Sequence, residues 1–357
     1  MALMFYLLDK DFNIKRVIEN YKSAIWTERF YECGDFELYI PATPDIVNAV
    51  NFDAYGRTQY IVRADDTTKC GMIEAVKIDT DADQGNFVTV SGRLIEGLIF
   101  RRVVSQQLTY NGSAVLTVQK LLEKSIISPE NAHRTVANFL FKNSITTEDS
   151  TMANQYNGEN VGEAIEAICK TLRIGYRAAF DIETKEITFE LYQGTDRTVD
   201  QRAVPPVVFS YEFNNLLSSS LTVSVAPWKN TAIVLGEGEG TNRQRVVVGG
   251  TDYGIERREL YVNAQQQSTN GEELTPSTYH EMLWNKGLQA CGENRPERNT
   301  EADVAPNYGF ILNRDYYLGD LVSVENEYGM KTTPRVVETI EAQDENGYSI
   351  IPTFSIA

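Results

Sequence analysis

A chain of 357 residues, 42% hydrophobic and carrying 19 Tyr and 15 Phe, holds enough apolar material for two or three domains with sizeable cores, which excludes a disordered chain. Its 33 basic and 50 acidic residues leave a net charge of -17, which excludes a surface built to grip nucleic acid or an anionic membrane. Four cysteines, Cys33, Cys70, Cys169 and Cys291, lie far apart with no CxxC pair, and read as reduced, mostly buried thiols.

The opening MALMFYLLDKDF is apolar but lacks a basic leader and stops at Asp9. It is too short for a signal peptide or a membrane span and reads as a first strand, in a protein made and folded in cytosol. FELYIPA (36–42), YIVRAD, CGMIEAVKID and NFVTVSGRL follow as strands split by polar turns such as DTDADQG. Val88 and Val90 alternate with Thr89 and Ser91, the period of a half-buried strand. This first stretch predicts a compact antiparallel domain.

Two helices come next. Ser113 caps AVLTVQKLLEKSI, and Val161, Ile165, Ile168 and Leu172 form one face of NVGEAIEAICKTLRIGY, with Gly175 as the expected terminator. YRAAFDIETKEITFELY reads as a hairpin. Beyond residue 201 the strands return in PVVFSY, SSSLTVSVA, NTAIVLG, RQRVVVG and RRELYV. One more helix has Thr275 as its cap, Pro276 at its first position and Cys291 and Gly292 at its end. DYYLGDLVSVENEYG, TTPRVVETIEAQDENG and YSIIPTFSIA close the chain as strands.

Four patterns invite a site and each has a plainer reading. Gly236, Gly238 and Gly240 suggest a phosphate-cradling loop, but the spacing is GxGxG, Glu237 and Glu239 would repel phosphate, and a strand follows where a helix is needed. A bulged hairpin explains them. Asp79, Asp81 and Asp83 alternate like half a calcium loop, but Gly85 stands seventh and Val90 twelfth, and the flanks are strands; a solvated hairpin tip explains them. His133 and His280 are each isolated, without HExxH or GxSxG nearby. Fifty carboxylates always allow an imagined acid–base pair, so that signal carries nothing. No catalytic, cofactor-binding or metal-binding residue is assigned.

The stretch AIWTERFYECGDFEL crowds Trp26, Arg29, Phe30, Gly34 and Phe36 into a strand, a tight turn at Cys33-Gly34 and a second strand, with the aromatics inside. WTERFYECGDFEL also resembles the signature near the N-terminus of siphophage tail-hub proteins, the tail-associated hub subunits. GMIEAV with TVSGRLIEGLIFRRVV resembles their second block. YQGTDRT (192–198), VVFSYEFNNL (207–216) and WKNTAIVLGEGEG (228–240) resemble the middle, and DYYLGDLVSV (315–324) the end. The blocks keep their order across nearly the whole chain.

That resemblance implies a mainly β fold with α+β insertions, similar to the baseplate hub of contractile tails. It implies two tail-tube-like β-barrel domains, 1–104 and 201–262 with 305–357, a small α/β domain at 105–200 and a helical insertion at 263–304. It further implies a structural, non-enzymatic homotrimer of the virion tail tip, without cofactor. Three copies would offer six barrels, matching a six-fold tube to a three-fold tip. The partners would be a distal tail or tube protein above, a fibre, spike or tip protein below, and the tape measure protein. DNA would pass through the lumen without specific binding, and this chain would not enter a membrane. An acidic or neutral lumen suits that passage, because a basic one would hold duplex DNA by counterion release. The competing expectations are a receptor- or carbohydrate-binding adhesin, with a shallow aromatic groove, and a cell-wall hydrolase, with facing carboxylates or zinc.

Overall fold

The computed structural model describes residues 3–50, 58–83, 85–146, 151–269, 274–304 and 309–355. Met1, Ala2, Gln84, the domain boundary expected at 305 and the last two residues lie outside the described residues. The chain opens with β1 (Phe5–Leu8), β2 (Ile14–Ile18), β3 (Ser23–Arg29), β4 (Asp35–Pro41) and a short helix, α1 (Pro44–Val50), unforeseen in the sequence. β5 (Tyr60–Arg63), β6 (Cys70–Met72), β7 (Ala75–Asp81) and β8 (Gly85–Arg93) complete the first β unit, followed by a 3-10 turn over Ile95–Arg101. An α/β unit comes next: β9 (Leu108–Ser113), α2 (Ala114–Leu122), β10 (Phe139–Asn143), β11 (Thr151–Tyr156), α3 (Val161–Leu172), β12 (Gly175–Asp181) and β13 (Glu186–Tyr192). The rest is β14 (Val208–Ser210), β15 (Leu216–Ser224), β16 (Thr231–Leu235), β17 (Arg245–Gly249), β18 (Glu259–Asn263), α4 (Pro276–Glu293), β19 (Glu297–Val304), β20 (Ser323–Glu325), β21 (Lys331–Thr332), β22 (Arg335–Asp344) and β23 (Gly347–Ser355).

The molecule is mainly β, as expected. Burial follows strand alternation. β1 and β5 sit in a four-stranded sheet, β2-β1-β5-β6, with apolar cover on both faces. Phe5, Leu7 and Ile61 enter one core with Trp26, Phe36 and Val88; Leu8, Tyr60 and Val62 enter a second core built on α2, α3, β12 and β13. That is why YIVR is buried at all four positions.

The helix caps fall where the residue types put them. The Ser113 hydroxyl accepts the Leu116 N–H, and Asn160 accepts those of Gly162 and Glu163. Thr275 caps α4 with Pro276 at its start. The end of α3 differs from expectation. Arg173, in the left-handed conformation at φ 58°, closes the helix, and Gly175 is the first residue of β12. DYYLGDLVSVENEYG is also less regular than expected: only Ser323–Glu325 within it is strand. α4 packs Tyr279 and Leu283 on Ala232, Val234, Val246 and Val248, a separate small core under the sheet β17-β16-β18.

The largest sheet has eight strands in the order β15-β19-β23-β22-β3-β4-β8-β7. Four come from the first β unit and four from beyond residue 215. β22 pairs antiparallel with β3, from Glu338 opposite Arg29 to Asp344 opposite Ser23, and this joins the two sets. The mainly β fold with α+β insertions stands, but the two tail-tube-like β-barrel domains expected do not appear as closed barrels. Among the described residues no sheet closes on itself. β3 has β4 on one side and β22 on the other, so the sheet runs on from the first β unit into the second, and β7 and β15 remain as open edges.

Candidate functional site: an assembly surface and the junction behind it

The stretch from Trp26 to Phe36 brings all the main units together. Trp26 and Phe36 are about 1% exposed and stack at 5.7 Å between ring centroids, on the core side of the β3–β4 hairpin. Phe30 leaves the sheet at the end of β3 and is fully buried. Its N–H donates to the Val337 carbonyl at 2.8 Å, and its own carbonyl accepts the Tyr176 N–H at 3.3 Å. The first contact reaches the second β unit and the second reaches the α/β unit. The Tyr192 ring meets the Phe30 ring edge-on at 5.3 Å, and the Arg335 guanidinium lies over it at 5.2 Å. Gly175 and Gly319 flank the ring: a Cβ on either would fall 2.3 or 2.4 Å from its atoms. Glycine is needed at both places for this close approach.

The turn after Phe30 is held by two glutamates. Cys33 N–H donates to Glu166 Oε1 and Gly34 N–H to Glu96 Oε1, both at 3.2 Å. The Tyr176 hydroxyl donates to the same Glu166 oxygen at 2.8 Å. Burial pushes Glu166 above the usual carboxylate range and Glu96 up to about 7. The Cys33 thiol is pushed up by burial and by the neighbouring Glu96, which keeps it protonated in the packed turn.

A buried ionic cluster crosses the seam between β3 and β22. Glu341 lies 2.9 Å from Arg63 and 3.0 Å from Lys69, and accepts the Tyr348 hydroxyl at 2.6 Å. Lys69 also reaches Glu28 at 2.6 Å. Burial alone would raise Glu341, but Lys69 and Arg63 hold it below its ordinary value. A second pair on the same seam, Arg29–Glu338 at 2.7 Å, is more open to solvent.

The sheet face opposite the cores is read from the register, because directly opposed residues share a face. Ile25, Glu37, Ser91 and Ala75 form one row across β3, β4, β8 and β7; Ser23, Tyr39, Thr89 and Lys77 form another. Thr27 and Ile340, and Arg29 and Glu338, continue this face onto β22, and Ile351 and Thr353 onto β23. The face is rich in hydroxyl groups and has balanced charge. At the β15 edge, Leu217 and Val223 are exposed, with Tyr211 and Phe213 nearby in sequence.

The sequence-level candidates take their plain readings. Gly236 to Gly240 join β16 to its antiparallel partner β17, with Gly238 at φ 110° and Gly240 at φ 55°. The Glu237 carboxylate accepts the Thr269 N–H and hydroxyl. Asp79, Asp81 and Asp83 lie at the β7–β8 hairpin tip, with Lys77 paired to Asp79. His133 is exposed in a short 3-10 turn, and His280 stacks on Trp284 within α4. All four cysteines are unbridged. Among the described residues, no His, Cys, Asp and Glu group is placed to hold a metal ion, and no helix is long and apolar enough to cross a membrane. Glu96, Gly319 and Arg335 were not foreseen, and Gly175 was expected only as a helix terminator. The only signal was a lone carboxylate inside the apolar run LIEGLIF.

Over residues 4–354 the chain matches the model of the family described as Siphovirus ReqiPepy6 Gp37-like protein. No curated protein matches it. Among solved structures it is similar to the tail protein from Neisseria meningitidis MC58, at 12% identity and TM-score 0.59, covering 99% of this chain and 96% of that one. The 43 kDa tail protein of prophage MuSo2 from Shewanella oneidensis is similar at 12% identity and TM-score 0.58, with 99% and 98% covered. Prophage tail protein gp18 from Listeria monocytogenes EGD-e follows at 10% identity and TM-score 0.56, with 99% and 94% covered. At such identities the common property is the fold.

Proposed function

We propose that this chain, which belongs to the family of Siphovirus ReqiPepy6 Gp37-like proteins, is a structural hub subunit of the phage tail tip, three copies of which form a ring that continues the tail tube. Full-length likeness in fold to phage tail proteins supports the tail assignment. The observation that carries the ring is the eight-stranded sheet, four strands from each β unit, left open at β7 and β15. Three such sheets, joined edge to edge, would make one closed wall of twenty-four strands built from six four-stranded pieces. The barrel that one copy does not close would close in the assembly.

In this reading the tube-like units keep the limits 1–104 and 201–262 with 305–357. The α/β unit 105–200 stands outside the wall, and so does the insertion 263–304 apart from β19 (Glu297–Val304), which is one of the wall's strands. The exception within the tube-like limits is β16–β18, which pack on α4 in a core of their own and so go with the insertion and not with the second tube-like unit. The face carrying Ser23, Thr89, Tyr39 and Glu37 lines the passage. Its hydroxyl groups and balanced charge offer duplex DNA no cationic track, so DNA slides without being held. The neighbours are a tube or distal tail protein above, a fibre, spike or tip protein below and the tape measure protein inside, all in the virion. The chain works by shape and assembly, without a reaction of its own.

Reconstruction of the tail tip by electron microscopy, with this chain labelled, tests the reading. Three copies around the axis with β7 of one beside β15 of the next would support it. One copy per tail, or copies meeting through α4, would overturn it.

A further inference from the structure

We infer that a groove at one end of the open sheet face is a binding site for a single carboxylate borne on an otherwise uncharged polypeptide segment of a partner protein. The groove is a cavity of about 650 Å³ between the C-terminal ends of α3 and α4, the loop after β3, and β22 and β23. Two ion pairs on its wall are internally satisfied, Arg29 with Glu338 at 2.7 Å and Lys170 with Glu32 at 2.6 Å. Two exposed guanidinium groups on the wall, Arg173 and Arg295, have no ion-pair partner among the described residues. Both act on the half-buried Tyr31, together with Arg335 behind it. Arg335 is 8% exposed, donates to the Gly319 carbonyl, and has no acceptor for its Nε. A chain of net charge -17 therefore gathers three guanidinium groups around one phenol with no carboxylate bound to any of them among the described residues.

The surroundings choose the class of anion. Glu293 and Glu297 stand on the same wall and Glu32 on its margin. A polyanion such as duplex DNA would meet these carboxylates with every successive phosphate. A lone carboxylate seated between Arg173 and Arg295 would not, and the planar guanidinium fork suits it. Val337, Pro296 and Tyr31 supply neutral surface for the residues on either side of it. The occupant is a different protein and not a second copy. On the hub reading, on which this placement rests, copies meet at the edges β7 and β15, whereas the groove lies mainly on β3, β22 and β23, with Glu297 of β19 at its margin, and opens at the end of the passage.

The test uses assembled tails carrying Arg173→Lys with Arg295→Lys. A carbodiimide couples an amine to a carboxylate only when the two touch, and mass spectrometry then maps the joined residues. The expected product links position 173 or 295 to one Asp, Glu or chain-terminal carboxylate of another tail protein, in a segment without neighbouring charges. Arg173→Glu with Arg295→Glu should cut the amount of that protein retained in purified tails by roughly tenfold or more. Links only to Glu293 or Glu297 of the same chain, links to a second copy, or no link in tails that contain the chain would overturn the inference and leave the hub reading standing. Absence of the chain from purified tails would remove both.

Discussion

Glu338 lies directly opposite Arg29 across the β22–β3 ladder, and their side chains meet at 2.7 Å. Three positions along the same strand, Glu341 reaches Arg63 and Lys69 on the buried side. The seam is therefore closed by one half-exposed pair and one buried cluster. Glu338→Ala should cost about 1 kcal/mol or less, since a solvated pair contributes little. Glu341→Ala should cost more, about 3 kcal/mol, because it removes the buried carboxylate that Arg63 and Lys69 share and leaves them only the more exposed Asp65 and Glu28. Urea unfolding of both variants decides it, and equal losses would mean that the buried cluster does not hold the seam.

The packing of Phe30 predicts a steep response to a single methyl group. Gly175→Ala should destabilise by about 3 kcal/mol, because the ring is enclosed and the new Cβ overlaps it. Gly319→Ala should do at least as much, as its backbone stands at φ 96°. Gly292→Ala at the end of α4, where only Arg295 comes near, should stay within about 1 kcal/mol of the parent. Chemical denaturation of the three variants tests the order.

Glu96 predicts a pH dependence with a definite sign. The fold keeps this carboxyl protonated up to about 7, against an ordinary value of 4.5, through burial. The folded chain thus binds the extra proton between those two values. The resulting stabilisation is complete below 4.5 and is lost as pH rises through about 7. Glu96→Gln removes the dependence while keeping an oxygen for the Gly34 N–H. Relative to the parent, the variant should gain about 3 kcal/mol between pH 4 and pH 8. Parallel stability curves for parent and variant across that range would contradict the assignment.

The open edge at β15 predicts a separation of folding from assembly. Val223 is 57% exposed, so Val223→Asp should change the stability of the isolated chain by no more than about 0.5 kcal/mol. In the tail it should prevent the ring, seen as tails lacking tips and as loss of the three-copy mass. A variant that assembles normally would show that the edge is not an interface.

Passage of DNA can be tested on the face away from the cores. Glu37→Lys with Asp79→Lys adds cations to that surface, which should slow DNA release from virions as measured with a DNA-binding dye, and more so at low salt. Release at the parental rate would mean that this face does not line the passage.

Much of the fold was legible because local chemistry agrees with it. The hairpins β7–β8 and β12–β13, the caps Ser113 and Thr275 and the glycine hairpin after Leu235 were all readable from alternation and residue type. The end of α3 was not. Gly175 looks like a helix terminator, yet its role is to let Phe30 approach, and Arg173 closes the helix instead. No local pattern reveals a partner 309 positions away, so the Arg29–Glu338 register and the single shared sheet were invisible. The groove escaped for the same reason. Arg173 and Arg295 are ordinary surface arginines until two helix ends bring them to Tyr31.

The β3–β22 ladder also sets a clock on biosynthesis. β3 leaves the ribosome early, and its mate emerges 309 residues later. At ordinary translation speeds that is a wait of roughly 15–60 s. For that interval one flank of β3 has no native mate, so the eight-stranded sheet cannot be completed until the chain is nearly finished.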